Sequence, residues 1–410
     1  MKKCEILAPA GDIEKLKFAV MYGADAVYSA LKSFGMRASA GNLSREDLKE
    51  GLDFAHAHGA KLYCTLNTMP HENELYALDE MLDSISDTVP DAFIISDPGV
   101  LSTVKKRLPT AELHLSTQCS TVNSRSCNFW YDAFGVKRIV LARELTLKEI
   151  EGIRKNIPDD LELECFVHGA MCISYSGRCL LSNYATGRDA NRGMCAQPCR
   201  WQYCMNDTKE GFPMGYAEQY PEGTYVFSSK DLCMIEHVPS LVEAGIDSFK
   251  IEGRMKSAYY TAAVTNAYRK AYDAYVKNPS EYVFDPLLKK ETESVSHREY
   301  GTGFYFVSPH ENAQVCKENV YINDRAYLAT VSEITEDGLA KCIQRNKFYA
   351  GDKVQVLSPG SVGKDATVEK LYDEEMNEIE SVPHAKQTFY AKIDGVKPWD
   401  IIRCGDMNAL

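Results

Sequence analysis

The 410-residue sequence is 45% hydrophobic and 25% charged with a net charge of −12, which excludes a disordered, membrane-embedded or globally basic chain. Its length exceeds what one hydrophobic core usually organises, so one large and one smaller domain are expected. Met1-Lys2-Lys3-Cys4 leads directly into a short apolar run unlike a secretory leader, so a cytoplasmic location with no membrane association is expected, and clustered members of the fourteen cysteines read as metal or redox ligands rather than disulfides.

From the N-terminus, short β-branched or apolar runs alternate with segments of helical period. Strands are expected at 5–8, 26–30, 61–66, 92–96, 112–116, 138–142, 162–167 and 248–251, with helices such as 13–22, 45–58 and 147–155 between them. The second of these helices opens on Asn42-Leu43-Ser44-Arg45-Glu46-Asp47, a cap-like start. Eight parallel strands, each followed by a helix, close as a TIM-like (β/α) barrel. An open doubly wound sheet fits less well, because Ala8-Pro9-Ala10-Gly11-Asp12 stands where a Gly-rich dinucleotide loop would follow the first strand. The barrel domain is expected over 1–295, interrupted between its last two strands by a cysteine-rich insertion at about 170–247, a length that points to function. After a helix at 259–277 the character changes. Segments 326–331, 353–356, 366–371 and 389–393, separated by turn residues, predict a small β-barrel or sandwich over 300–410.

In such a barrel, chemistry gathers where strands end. Asn67, Asp97, Gln118, Arg143, Glu144, His168, Glu252 and Arg254 follow their strands directly. Asp97 precedes Pro98 and reads as a helix cap. His168, Glu144 and Glu252 are the acid–base candidates, although His168 reads equally as a satisfied core histidine. The insertion holds Cys172-x6-Cys179-x15-Cys195-x3-Cys199, then Cys204 and Cys233, enough thiols for a four-thiolate centre. The lack of tight CxxC knuckles favours iron–sulfur over zinc, which stays the alternative.

The run Glu164-Cys165-Phe166-Val167-His168-Gly169-Ala170-Met171-Cys172-Ile173-Ser174-Tyr175-Ser176-Gly177-Arg178-Cys179 resembles the signature of the peptidase U32 family. Asn191-Arg192-Gly193-Met194-Cys195-Ala196-Gln197-Pro198-Cys199, Ser229-Lys230-Asp231-Leu232-Cys233 and Phe249-Lys250-Ile251-Glu252-Gly253-Arg254 reinforce the resemblance. Although named for collagenase-like peptidases, the family has better understood members that are oxygen-independent hydroxylation factors carrying a 4Fe-4S cluster. The chain's length is most similar to those that hydroxylate tRNA wobble uridine to 5-hydroxyuridine with prephenate as co-substrate. The resemblance implies Cys172, Cys179, Cys195 and Cys233 as cluster ligands, with Cys199 as the alternative to Cys195, and tRNA, prephenate and a partner chain of the same family as partners. Proteolysis and a non-catalytic accessory role stay open as alternatives.

Prephenate is a dicarboxylate, and planar forks suit carboxylates, which points to Arg143 and Arg254, with Asn67, Gln118 and Tyr175 completing a substrate site. Lys250, Arg254, Lys256, Arg269 and Lys270 are expected to form a basic stripe for RNA, and Tyr175, Tyr184 and Trp201 to stack on splayed bases or pack the insertion.

Overall fold

The computed structural model describes residues 3–32, 34–35, 41–201, 203, 228–306 and 321–405. Seven parallel strands, β1 (Glu5–Pro9), β2 (Ala26–Ser29), β3 (Lys61–Leu66), β4 (Ala92–Ile95), β5 (Glu112–Leu115), β6 (Arg138–Val140) and β7 (Glu162–Ala170), lie side by side in chain order. A short β8 (Asp231–Cys233) runs antiparallel to the end of β7. The next strand, β9 (Ser248–Ile251), pairs in parallel with both β7 and β1 and closes the ring. The expected eight-stranded barrel is therefore present. The additional β8 continues outward through β10 (Tyr300–Gly301), annexing two strands to one rim.

Helices α1 (Ile13–Met21), α2 (Arg45–Ala57), α3 (Leu75–Ser84), α4 (Pro98–Arg107), α5 (Ser124–Phe134), α6 (Leu147–Arg154), α7 (Leu181–Thr186), α8 (Val238–Glu243), α9 (Ala258–Lys277) and α10 (Pro286–Glu293) accompany the strands. Their starts are written in the sequence. Ser44 and Asp47 form a reciprocal capping box on α2, and Asp97 accepts from the Gly99 and Val100 amides at the head of α4. No helix among the described residues is long and apolar enough to cross a membrane.

The barrel lumen carries charge. Arg138 pairs with Glu5 (2.5 Å), Glu162 (2.7 Å) and Glu164 (3.1 Å), and Lys250 pairs with Glu164 at 2.6 Å. Burial is tolerated because each charge meets an opposite one, and removing a single member would leave its partner uncompensated.

The tail forms one eight-stranded antiparallel sheet. Its strands are β11 (Tyr327–Ile334), β12 (Ala340–Gln344), β13 (Lys353–Leu357), β14 (Lys364–Thr367), β15 (Lys370–Tyr372), β16 (Glu378–Ile379), β17 (Thr388–Lys392) and β18 (Ile401–Cys404). Around Leu328, Cys342, Val354 and Phe389 it has a core of its own. Arg403 on β18 reaches back to Glu291 on α10 with two bonds of 2.7 and 2.8 Å, and also meets the Tyr259 hydroxyl and Ser294 Oγ. Tyr22 donates to the Leu357 and Trp399 carbonyls, so the sheet is bonded to helices on opposite sides of the ring closure.

Candidate active site at the barrel mouth

Beyond the strand ends lies a cavity of about 90 Å³. Of the residues expected from the sequence, Asn67, Gln118, Arg143, Cys172, Glu252 and Arg254 line it together, although they come from five different strands or strand ends. Two glycines permit this convergence. Gly169 has φ +103°, and a Cβ there would lie 2.4 Å from the Glu252 carbonyl, so only glycine lets the end of β7 approach β9 where Glu252 emerges. Gly11 plays the same part beside Arg254, whose carbonyl would stand 2.3 Å from an added Cβ.

The wall is cationic. Arg143 donates to the Ala170 carbonyl (3.0 Å) and Ser176 Oγ (2.7 Å) and lies over the Phe166 ring. Arg254 is buried and donates to Thr65 Oγ1 at 3.4 Å. Lys250 rises from the lumen between the Tyr28 and Phe166 rings. Against these stands Glu252, the sole carboxylate on the wall among the described residues. Gln118 is only 4% exposed, and neither atom of its amide meets a partner among the described residues. A buried amide left unsatisfied is costly, so its orientation suits a polar ligand.

Sequence reasoning missed Lys250 as a wall residue, as well as Tyr28, Thr65, Phe166 and Ser176. The available signal was alternation. Lys250 stands between Phe249 and Ile251 on one strand, so it faces the lumen while they face the helices. The basic stripe expected for RNA is consequently not formed. Besides Lys250, Arg269 pairs with Asp25, Lys270 donates to the Gly360 carbonyl and Lys256 donates to the Ser296 carbonyl.

Three other expected residues lie off the wall. Tyr175 is exposed on the cap above. Glu144 is half-buried, with burial raising its carboxyl and Arg143 opposing. His168 is buried, its ring nitrogens facing the Tyr268 hydroxyl (3.4 Å) and the Tyr300 hydroxyl (3.2 Å). Burial pushes its imidazole down to about 3, with Asp231 opposing, and it does not line the cavity. Nor does it pair with Cys172 as a hydrolytic dyad would.

Residues 171–201 fold over the mouth as a compact cap. Ser182 Oγ donates to the Arg188 carbonyl and receives the Ala196 amide, and Asn191 donates to the Cys179 carbonyl. The cap gathers four thiols: burial raises the Cys199 thiol, Arg200 lowers it, and Cys172, Cys195 and Cys179 beside it raise it further. Cys233 is placed elsewhere, buried at the end of β8 with its sulfur 3.8 Å from Thr292 Oγ1 and 3.9 Å from Lys289 Nζ. Cys204 lies outside the described residues. None of the described cysteines forms a disulfide, and no three metal-ligating side chains among the described residues stand at ligating separation. The four cap thiols thus share one neighbourhood among the described residues.

Fold and site together define a thiol-capped (β/α)8-barrel protein with a cationic pocket at its mouth and a separate β-sheet tail. The chain belongs to peptidase family U32: residues 11–315 match the family profile, and 323–403 match that of the peptidase family U32 C-terminal domain. It is 39% identical over 407 residues to tRNA hydroxylation protein P1 of Bacillus subtilis, covering 98% of this chain and 95% of the relative. It is 36% identical to tRNA hydroxylation protein P of Escherichia coli, covering 88% and 87%, and 32% identical to a collagenase of Porphyromonas gingivalis, covering 87% and 86%.

Proposed function

We propose that this chain is an RNA-hydroxylating enzyme whose substrate is the wobble uridine of tRNA, converted to 5-hydroxyuridine without dioxygen and with prephenate as co-substrate. The relatives named as tRNA hydroxylation proteins, alike over most of both chains, support the reaction class. The observation that carries the reading is the mouth cavity, where Arg143, Lys250, Arg254 and the unsatisfied Gln118 amide offer a small dicarboxylate several donors beside a thiol. Arg143 and Arg254 would hold the carboxylates, Gln118 and Asn67 would orient the ligand, and Glu252 would hold or move a proton. Proteolysis lacks its machinery there, since no nucleophile and base are paired on the wall among the described residues.

The cofactor in this proposal is a 4Fe-4S cluster. Four thiols with no carboxylate or imidazole among them suit iron–sulfur or zinc, and the cap's neighbourhood favours Cys172, Cys179, Cys195 and Cys199 as ligands over the set that includes Cys233. When bound, a cluster supplies electron transfer that the side chains do not.

The test is complementation of a deletion strain, with tRNA nucleosides measured by mass spectrometry beside iron and sulfide content. Wild type should restore 5-hydroxyuridine derivatives and purify brown under anaerobic conditions. Cys172→Ala and Cys199→Ala should lose both colour and modification, whereas Cys233→Ala should keep its iron. A colourless, zinc-loaded wild type overturns the cluster. Undiminished hydroxyuridine in a deletion strain without a redundant enzyme overturns the substrate.

A further inference from the structure

The cap has a composition unlike the rest of the molecule. Between Met171 and Trp201 stand four arginines, Arg178, Arg188, Arg192 and Arg200, against one acid, Asp189, in a chain whose net charge is −12. The same stretch leaves large apolar and aromatic side chains in solvent: Tyr184 is 91% exposed and Leu180 69%, with Tyr175, Met194 and Trp201 also exposed. Singly exposed apolar residues are ordinary, but their concentration in one stretch marks an interaction surface.

These residues share one small body. Arg188 Nε donates to the Met194 carbonyl, which ties the end of α7 to the loop carrying Cys195, and Tyr184 lies within α7 itself. Arg192 is paired with Glu74, which fixes the cap to the barrel beside α3. Cys172, Ser176 and Gly177, the first turn of the cap, are part of the cavity wall, so the cap is continuous with the entrance to the pocket.

We infer that the cap is the docking surface for a single-stranded RNA loop, with Tyr184 as a stacking platform and Arg188 as a phosphate contact; this rests on the RNA-hydroxylation reading. Exposed aromatics interleaved with arginine are what unpaired nucleotides need: a π-face for each base and a positive charge for the backbone. The cap's four arginines against one acid, in a chain of net charge −12, give the charge complementarity, on the side from which a base turned out of its stack reaches the cavity. A duplex keeps its bases stacked inside and gains nothing from Tyr184.

The experiment uses the full chain and two probes, an RNA stem-loop with uridine in its loop and a fully paired duplex of the same composition, followed by fluorescence anisotropy across a salt series. Tyr184→Ala should weaken stem-loop binding roughly five- to a hundredfold. Tyr184→Phe should bind as wild type, and neither substitution should move duplex binding or the melting midpoint. Arg188→Ala should weaken binding and lower the slope of log affinity against log salt by about one. If wild type and Tyr184→Ala bind the loop equally, the surface is overturned while hydroxylation, read separately from tRNA nucleosides, stands. A wild type that binds neither probe, or prefers the duplex, overturns the surface and counts against an RNA substrate as well.

Discussion

Replacing Arg143 separates two roles that the structure superimposes on one guanidinium. Its fork ties the segment after β6 to the end of β7 through the Ala170 carbonyl and to the cap through Ser176 Oγ, while its plane lies over Phe166 on the cavity wall. Charge-assisted bonds contribute about 1.5–3 kcal/mol each. Because Arg143 is half-buried, the lower end applies, and the Ser176 bond gives roughly 1.5 kcal/mol holding the cap's first turn. At about 1.4 kcal/mol per decade, Arg143→Ala should make local opening there about tenfold more frequent. Hydrogen exchange over residues 171–177 reads this directly. Prephenate affinity, measured by calorimetry, should fall about ten- to a hundredfold in the same variant. Arg143→Lys should recover at most one of the two tethers and little of the affinity, since a point charge replaces a planar fork. Unchanged exchange in Arg143→Ala refutes the tether, and unchanged prephenate affinity refutes the clamp.

Glu164→Gln should destabilise the barrel by about 3 kcal/mol in urea unfolding, because Lys250 and part of Arg138 lose their buried counter-charge. Burial alone would raise the Glu164 carboxyl, but Lys250 and Arg138 outweigh it and hold it below its ordinary value. Its contribution is therefore complete above the usual carboxylate range and lost as pH falls beneath it, so wild type should lose stability on acidification more steeply than the variant; parallel curves would contradict this. His168, pushed down to about 3, should stay neutral in the folded state throughout the range where the unfolded chain's imidazole, near its ordinary value of about 6.5, takes up a proton. Its contribution is full above that ordinary value and is lost as pH falls toward 3, and an imidazole resonance titrating near 6.5 by NMR would refute the burial argument.

The barrel was legible because its strands are continuous apolar runs bounded by capped helices, and both signals are local. Ser44 and Asp97 cap the helices that their positions predicted. What stayed hidden was pairing across distance. β8 and β10 are three and two residues long, too short for any periodicity, and exist because the end of β7 offers them an edge. Asn67, Gln118, Arg143, Glu252 and Arg254 were found because they come just after a strand, whereas Ser116 and Thr117, directly after β5, were missed. Lys250 was misplaced by attending to its charge rather than to its alternation with Phe249 and Ile251. The thiols show the same limit: spacing revealed a cluster of cysteines, but whether Cys199 or Cys233 stands with Cys172 depends on how the cap folds back.

The bond between Arg403 and Glu291 spans 112 residues of sequence and bears on the order in which the molecule can be assembled. During synthesis from the N-terminus, α9 and α10 emerge well before β18, and until that strand arrives Glu291 is a carboxylate destined for burial without its cation. A lone charge of that kind favours staying in water, so the last helix of the barrel has reason to remain loosely seated while the tail is still being made. Completion of the tail sheet is then what commits the barrel's outer layer.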